Sequence, residues 1–226
     1  AFISCYKLKR IICHANTAPS ISSHTFYDIA YCGVLIHPEG SDYSTWLSNS
    51  RYYLGYYSWG DGIGEIKCTY NITSTNTPTI ISNSTNGIFK MEVDGVEIEP
   101  TSAYTFNETG EHVVEFDYLN KMRKRAFSNC SSLTNVEIDG ERISIGDSAF
   151  TNCNGLTTVE IGDGCTSIGS NVFYNCSNLK TVEIGSGCTS IGDYAFESCS
   201  KLKEITCHAN TAPSISTSTF RGIANY

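Results

Sequence analysis

The sequence predicts a mainly β protein with short helical turns, built as a solenoid of 23-residue coils around an intervening small β-sandwich-like module. Three observations carry this. Residue types return with a period of 23 through the second half of the chain. The first 32 residues match the last 32 at 22 positions without a gap. The stretch between holds an alternating strand pattern and no repeat. Self-similarity at a fixed short period is the mark of units that bury their apolar faces only by stacking.

The units open at Ala126-Phe127, Ala149-Phe150, Val172-Phe173 and Ala195-Phe196. Each continues through Cys130, Cys153, Cys176 or Cys199, then Leu133, Leu156, Leu179 or Leu202. Val136, Val159, Val182 and Ile205 follow, then Ile138, Ile161, Ile184 and Cys207, and Ile145, Ile168 and Ile191 close the units. The Leu-x-x-Val-x-Ile stretch alternates at its end, so it reads as a strand with Val and Ile on one face. The Ile-Gly-Asp-x-Ala-Phe stretch reads as a turn into a short helix, with Asp147, Ser170 and Asp193 placed to cap it.

Three regions follow. Residues 1–66 comprise a terminal repeat and an aromatic closing segment carrying Tyr43, Trp46, Tyr52, Tyr53, Tyr56, Tyr57 and Trp59. Residues 67–119 form an acidic β-module, in which Asp94-Gly95 marks a hairpin and HVVEFDYL a final strand. Residues 120–226 hold an array of about four units that lacks the closing segment present after the first copy. The opening AFISCYKLK falls inside a unit, which reads as a cut within a longer protein, so a missing signal peptide is uninformative about compartment.

The formal charge of −8 argues against nucleic acid, whose binding needs a basic stripe. The module concentrates that charge, with two lysines against eight acids for a net −6 over residues 67–119. The basic run Lys121, Arg123, Lys124, Arg125 reads as a solvated edge. No stretch approaches the roughly 18 apolar residues of a membrane span, so no direct membrane insertion is expected.

The pattern AF-x-NC-x-x-L-x-x-VEI-x-x-x-x-x-SIG resembles the BspA-like leucine-rich repeats of bacterial surface proteins over residues 1–32 and 122–226. GVLIHPEGSDYSTWL is similar to that family's closing segment. The resemblance implies an adhesin-like protein, secreted or at the bacterial cell surface, or a protein of bacterial phages, with no shared catalytic motif. It implies a host or neighbouring-cell surface protein or glycan as partner. A structural spacer or a phage or envelope receptor-contact protein is the alternative reading, and a glycan-active enzyme a further one.

Eleven cysteines invite a disulfide reading, but the number is odd and most lie on the repeat lattice, where they read as small buried hydrophobes. Cys13-His14 and Cys207-His208 put adjacent side chains on opposite strand faces, a poor arrangement for one metal ion, and no cofactor is expected. Two features remain as candidate partner sites. Glu137, Glu160 and Glu183 form an outward ladder whose charges repel at about 4.8 Å spacing. It reads either as repeat inheritance relieved by Lys180, Lys203 and solvent, or as a stripe that meets a cation or basic partner. The Tyr and Trp residues of 43–59 read either as a cap on the array or as a ligand platform.

Overall fold

The computed structural model describes residues 10–13, 15–22, 24–26, 33–36, 42–43, 45–46, 59–60, 63–85, 88–119, 121–140 and 143–223. The chain divides into two compact units, residues 1–63 and 64–226.

In the first unit, β1 (Arg10–Ile12), β2 (Gly33–Ile36) and β3 (Trp59–Gly60) form a parallel sheet. Arg10 lies opposite Val34 and Gly33 opposite Trp59, so successive strands are 24 and 26 residues apart. The closing segment thus departs from the 23-residue spacing yet keeps the parallel winding. Leu35, Tyr43 and Trp46 are buried in it. Trp46 meets Phe26 edge-on at 5.2 Å, and its indole N–H donates to the Pro19 carbonyl at 2.9 Å.

The second unit opens with β4 (Ile63–Ile72), β5 (Thr79–Ile80), β6 (Ile88–Val93), β7 (Val96–Ile98), β8 (Ala103–Tyr104) and β9 (Gly110–Leu119). The hairpin at Asp94-Gly95 forms as expected, with Glu92 opposite Glu97 and both turn residues at positive φ, 50° and 77°. The array follows with β10 (Lys121–Met122), β11 (Leu133–Gly140), β12 (Ile143–Ile145), β13 (Thr158–Ile161), β14 (Cys165–Ile168), β15 (Thr181–Ile184), β16 (Ser190–Ile191) and β17 (Glu204–Cys207).

Module and array share one sheet. Its strand order is β17-β15-β13-β11-β4-β9-β6-β7, parallel through the array and antiparallel from β11 to β4. The short second strands of the coils, β10-β12-β14-β16, make a second parallel sheet. Further bonds tie the module to the first coil. Asn83 N–H donates to the Ala126 carbonyl at 2.7 Å, and Thr134 Oγ1–H donates to the Thr69 carbonyl at 3.0 Å.

The core is a set of ladders. Phe127, Phe150, Phe173, Phe196 and Phe220 stack nearly parallel with centroids 5.1, 5.5, 5.4 and 5.6 Å apart. Phe116 of the module meets the first of them edge-on at 5.3 Å and ends the ladder. The lattice cysteines are buried, and the thiols of Cys153, Cys176 and Cys199 donate to carbonyls of the preceding coil, those of Phe127, Phe150 and Phe173. Burial pushes the Cys153 and Cys199 thiols up to about 12 and Cys176 well above its ordinary range.

The expected short helix does not form, and no helix occurs among the described residues. Arg125, Ser148, Asn171 and Tyr194, and four residues on Asn129, Asn152, Asn175 and Ser198, have φ between 56° and 63°. Two left-handed residues per turn cannot belong to a right-handed helix. The turn instead sends alternate N–H groups back three residues, as Cys130 to Phe127, and the others sideways, as Phe127 to Ala149 of the next coil at 2.8 Å. The capping role expected for Asp147, Ser170 and Asp193 is likewise corrected. Asp147 Oδ1 accepts the Ser170 N–H one coil on, at 3.0 Å, and Asp193 Oδ1 accepts from Ser218 Oγ at 3.4 Å. Side-chain amides add a ladder of their own, Asn175 to Asn152 at 3.0 Å and Asn152 to Asn129 at 3.1 Å.

Candidate functional site

Strand alternation decides which side chains reach solvent from the large sheet. In β11, β13 and β15 the Val and Ile positions are buried and the residue between them is exposed. In-register pairing sets Glu137 beside Glu160 and Glu160 beside Glu183. These three line an open groove of about 610 Å3 together with Asp139, Asp163, Ser186 and His208. Gly162 and Gly185 lie along it, and a Cβ at Gly185 would overlap the backbone of Gly162 and Asp163, so glycine lets the coils approach there. A smaller adjoining depression of about 180 Å3 shares Glu160 and Glu183 and adds Glu204 and Thr206.

Each end of the ladder meets a nitrogen-bearing side chain. Lys67 Nζ of the module lies 3.8 Å from Glu137 Oε2, and His208 Nε2 lies 2.8 Å from Glu183 Oε1. This corrects the expected relief by Lys180 and Lys203, which make no ion pair with the ladder among the described residues. Both are exposed, and the N–H of each bonds to the preceding coil, Lys180 to Thr157 and Lys203 to Lys180, each at 2.9 Å. Glu160, in the middle, has no ion pair among the described residues. Asp163 is held in its charged form: the Ser186 N–H donates to its Oδ1 at 2.7 Å and lowers its pKa, assisted by the nearby His208.

The other predicted residues fall elsewhere. Tyr43 and Trp46 are buried in the first unit, where Tyr43 O–H reaches the Ala15 carbonyl at 2.9 Å. Trp59 belongs to β3, and Tyr52, Tyr53, Tyr56 and Tyr57 lie outside the described residues. Sequence reasoning placed neither Asp139 and Asp163 nor His208 on this face. Asp139 and His208 occupy the repeat position that Gly162 and Gly185 fill in the units between, so an outward stripe read one step beyond each strand would have found them.

The family described as the BspA type leucine rich repeat region matches residues 120–225, in six copies. Those residues belong to the BspA-type repeats. Two solved structures are similar to this chain. One is a leucine-rich repeat protein from Bacteroides ovatus ATCC 8483, 26% identical over 48% of this chain and 32% of that one, with a TM-score of 0.30. The other, a leucine rich cell surface protein from Faecalibacterium prausnitzii A2-165, is 23% identical over 43% and 38%, with a TM-score of 0.23. The matched part therefore spans about a third of each of those chains. No curated protein matches. The BspA-type array of this chain carries its carboxylates on the sheet face that the coils leave open.

Proposed function

We propose that this chain is a non-catalytic binding protein that takes a cationic protein segment along the outward face of its array. The observation that carries this is the groove itself, lined by Glu137, Asp139, Glu160, Asp163 and Glu183, with His208 within hydrogen-bond distance of Glu183 on its wall. Parallel stacking forces equivalent acids to one repeat spacing, so the face presents a regular row of negative charge. A segment with lysines or arginines on one side matches such a row, and steered encounter would speed its capture. A neutral glycan could offer only hydroxyl hydrogen bonds to these carboxylates, whereas a basic segment adds opposite charge, which favours protein over glycan among the expected partners. Action outside the cell or at the bacterial surface is the reading that goes with the repeat family.

The test is binding of a fluorescent ten-lysine peptide to the 226-residue chain and to a variant carrying Glu137→Gln, Glu160→Gln and Glu183→Gln. The reading expects saturable binding that weakens with salt and falls about tenfold or more in the variant, at unchanged thermal stability. Equal binding by both proteins would sink it.

A further inference from the structure

The basic run Lys121, Arg123, Lys124 and Arg125 belongs to the first coil of the array alone. One repeat on, the same positions hold Ser144, Gly146, Asp147 and Ser148, and no later coil carries a lysine or arginine at any of them. The lattice explains one of these differences. A Cβ at Gly146 would overlap the Met122 carbonyl of the coil before it, and Gly169 is confined in the same way by Asp147. Arg123 follows β10, the first strand of its sheet, so no earlier coil presses on it. Packing therefore permits a side chain at Arg123, but it asks for positive charge at none of the four positions.

All four residues are exposed, and Lys121, Lys124 and Arg125 make no ion pair among the described residues. The run is held in place. Lys121 lies opposite Ser144, the Arg125 N–H donates to the Asp147 carbonyl at 3.0 Å, and the Ala126 N–H donates to the Arg123 carbonyl at 3.2 Å. The acidic groove lies on other strands, β11, β13 and β15 of the large sheet. A run fixed beside one sheet cannot swing onto the groove of the other, so a groove that meets it belongs to another molecule. The two match in charge and in length. Glu137 to Glu183 is two strand spacings, roughly 10 Å, and Lys121 to Arg125 spans at most roughly 13 Å of chain.

We propose that the cationic segment taken by the acidic groove is the Lys121–Arg125 run of a second copy of this chain, so that copies join head to tail. This rests on the groove reading and names its occupant. The contact is heterologous: every joined copy still offers a run or a groove to the next, and association does not stop at a dimer. Salt gives the contact a signature. Two chains of formal charge −8 repel at long range, and salt relieves that repulsion. Run and groove attract locally, so an association built on them weakens with salt.

The experiment is sedimentation equilibrium of the full 226-residue chain under reductant, with the ten-lysine peptide as competitor. The expected mass exceeds that of a dimer at about millimolar chain in low salt, and falls toward the monomer when salt rises about tenfold or when the peptide is added. Lys121→Ser, Lys124→Ser and Arg125→Asn together, residue types that Ser144, Ser170 and Asn171 supply in later coils, keep the fold by circular dichroism and weaken association about tenfold or more. The variant with Glu137→Gln, Glu160→Gln and Glu183→Gln does the same. Mixed, the two variants form a one-to-one complex that grows no further, because one run and one groove remain between them. A wild-type chain that binds the peptide yet stays monomeric overturns the proposal and leaves the groove reading standing. Failure to bind the peptide removes both. Association that salt strengthens, or that the run variant leaves intact, overturns the proposal as well, and so do variants that fail to join each other.

Discussion

Lys67 lies directly opposite Glu137 in the antiparallel pairing of β4 with β11, at the seam between the acidic module and the repeat array. The ion pair is exposed and 3.8 Å long, so it contributes little by itself. The backbone pairing around it is what matters, because it gives the first coil a partner that its own repeat cannot supply. An array must end on something other than another coil, and here β4, Phe116 and Tyr118 serve as that end.

If the seam joins the two parts energetically, breaking it damages both. Thr69→Pro removes a backbone donor from β4 opposite Asn135 in a strand flanked on both sides. We expect a loss of about 3 kcal/mol in urea unfolding, with amides of module and array exchanging faster together. A variant in which only the module loosens would contradict the joint.

The phenylalanine ladder predicts a gradient. Phe173 is fully buried with a stacked ring on either side, whereas Phe220 is partly exposed with one. Phe173→Ala should cost about 3–5 kcal/mol and Phe220→Ala less than half as much, measured as shifts in the unfolding midpoint. Equal costs would mean that stacking in the ladder is incidental.

Acid should tighten the module hairpin. His112 Nδ1 lies 2.8 Å from Asp94 Oδ2, and its Nε2 lies 3.1 Å from the Glu108 carbonyl. The Asp94 hydrogen bond raises its pKa above the ordinary 6.5, against a smaller opposing effect of burial. A histidine whose folded pKa is raised adds stability that is complete below 6.5 and is lost as pH rises through the folded pKa. Hydrogen exchange of the β9 amides near Val113, corrected for intrinsic rates, should therefore show more protection at pH 5.5 than at pH 8. In Asp94→Asn, which keeps an acceptor for the Val113 N–H, that difference should shrink.

Thiol reactivity should separate lattice from surface. Cys153, Cys176 and Cys199 are buried and held protonated by burial, and only a thiolate reacts well. Cys207 is exposed. Brief iodoacetamide treatment at pH 8, read by peptide mass spectrometry, should label Cys207 while sparing these three, and urea should release them. Rapid native labelling of Cys176 would show that the coils do not stack as described.

The lattice was legible because each ladder member is set by one residue type at one spacing: Phe127 predicts Phe150, and Val136 predicts Val159. The seam was not, since Thr69 and Asn135 lie far apart in sequence and nothing local says that β4 runs antiparallel to β11. The Ala-Phe pairs of the turns favour a helix locally, and the hint against one is Asn129, Asn152 and Asn175 at one repeat position, a residue type that tolerates left-handed backbone. In the groove, register alone brings Glu137, Glu160 and Glu183 together, while His208 stands in sequence next to Cys207 with no sign of its neighbour across the coils. It reaches Glu183 across coils, a contact that only the stacked structure reveals.

On the proposed function, the acidic groove of the array, rather than the negative charge of the chain at large, receives a cationic segment. Chemical-shift mapping of the labelled chain with a ten-lysine peptide at physiological salt tests it most directly. Shifts should concentrate at Glu137, Asp139, Glu160, Asp163, Glu183 and His208, with the acidic module around Glu92, Glu97 and Glu111 little changed. Shifts spread evenly over array and module, or confined to the module, would contradict it.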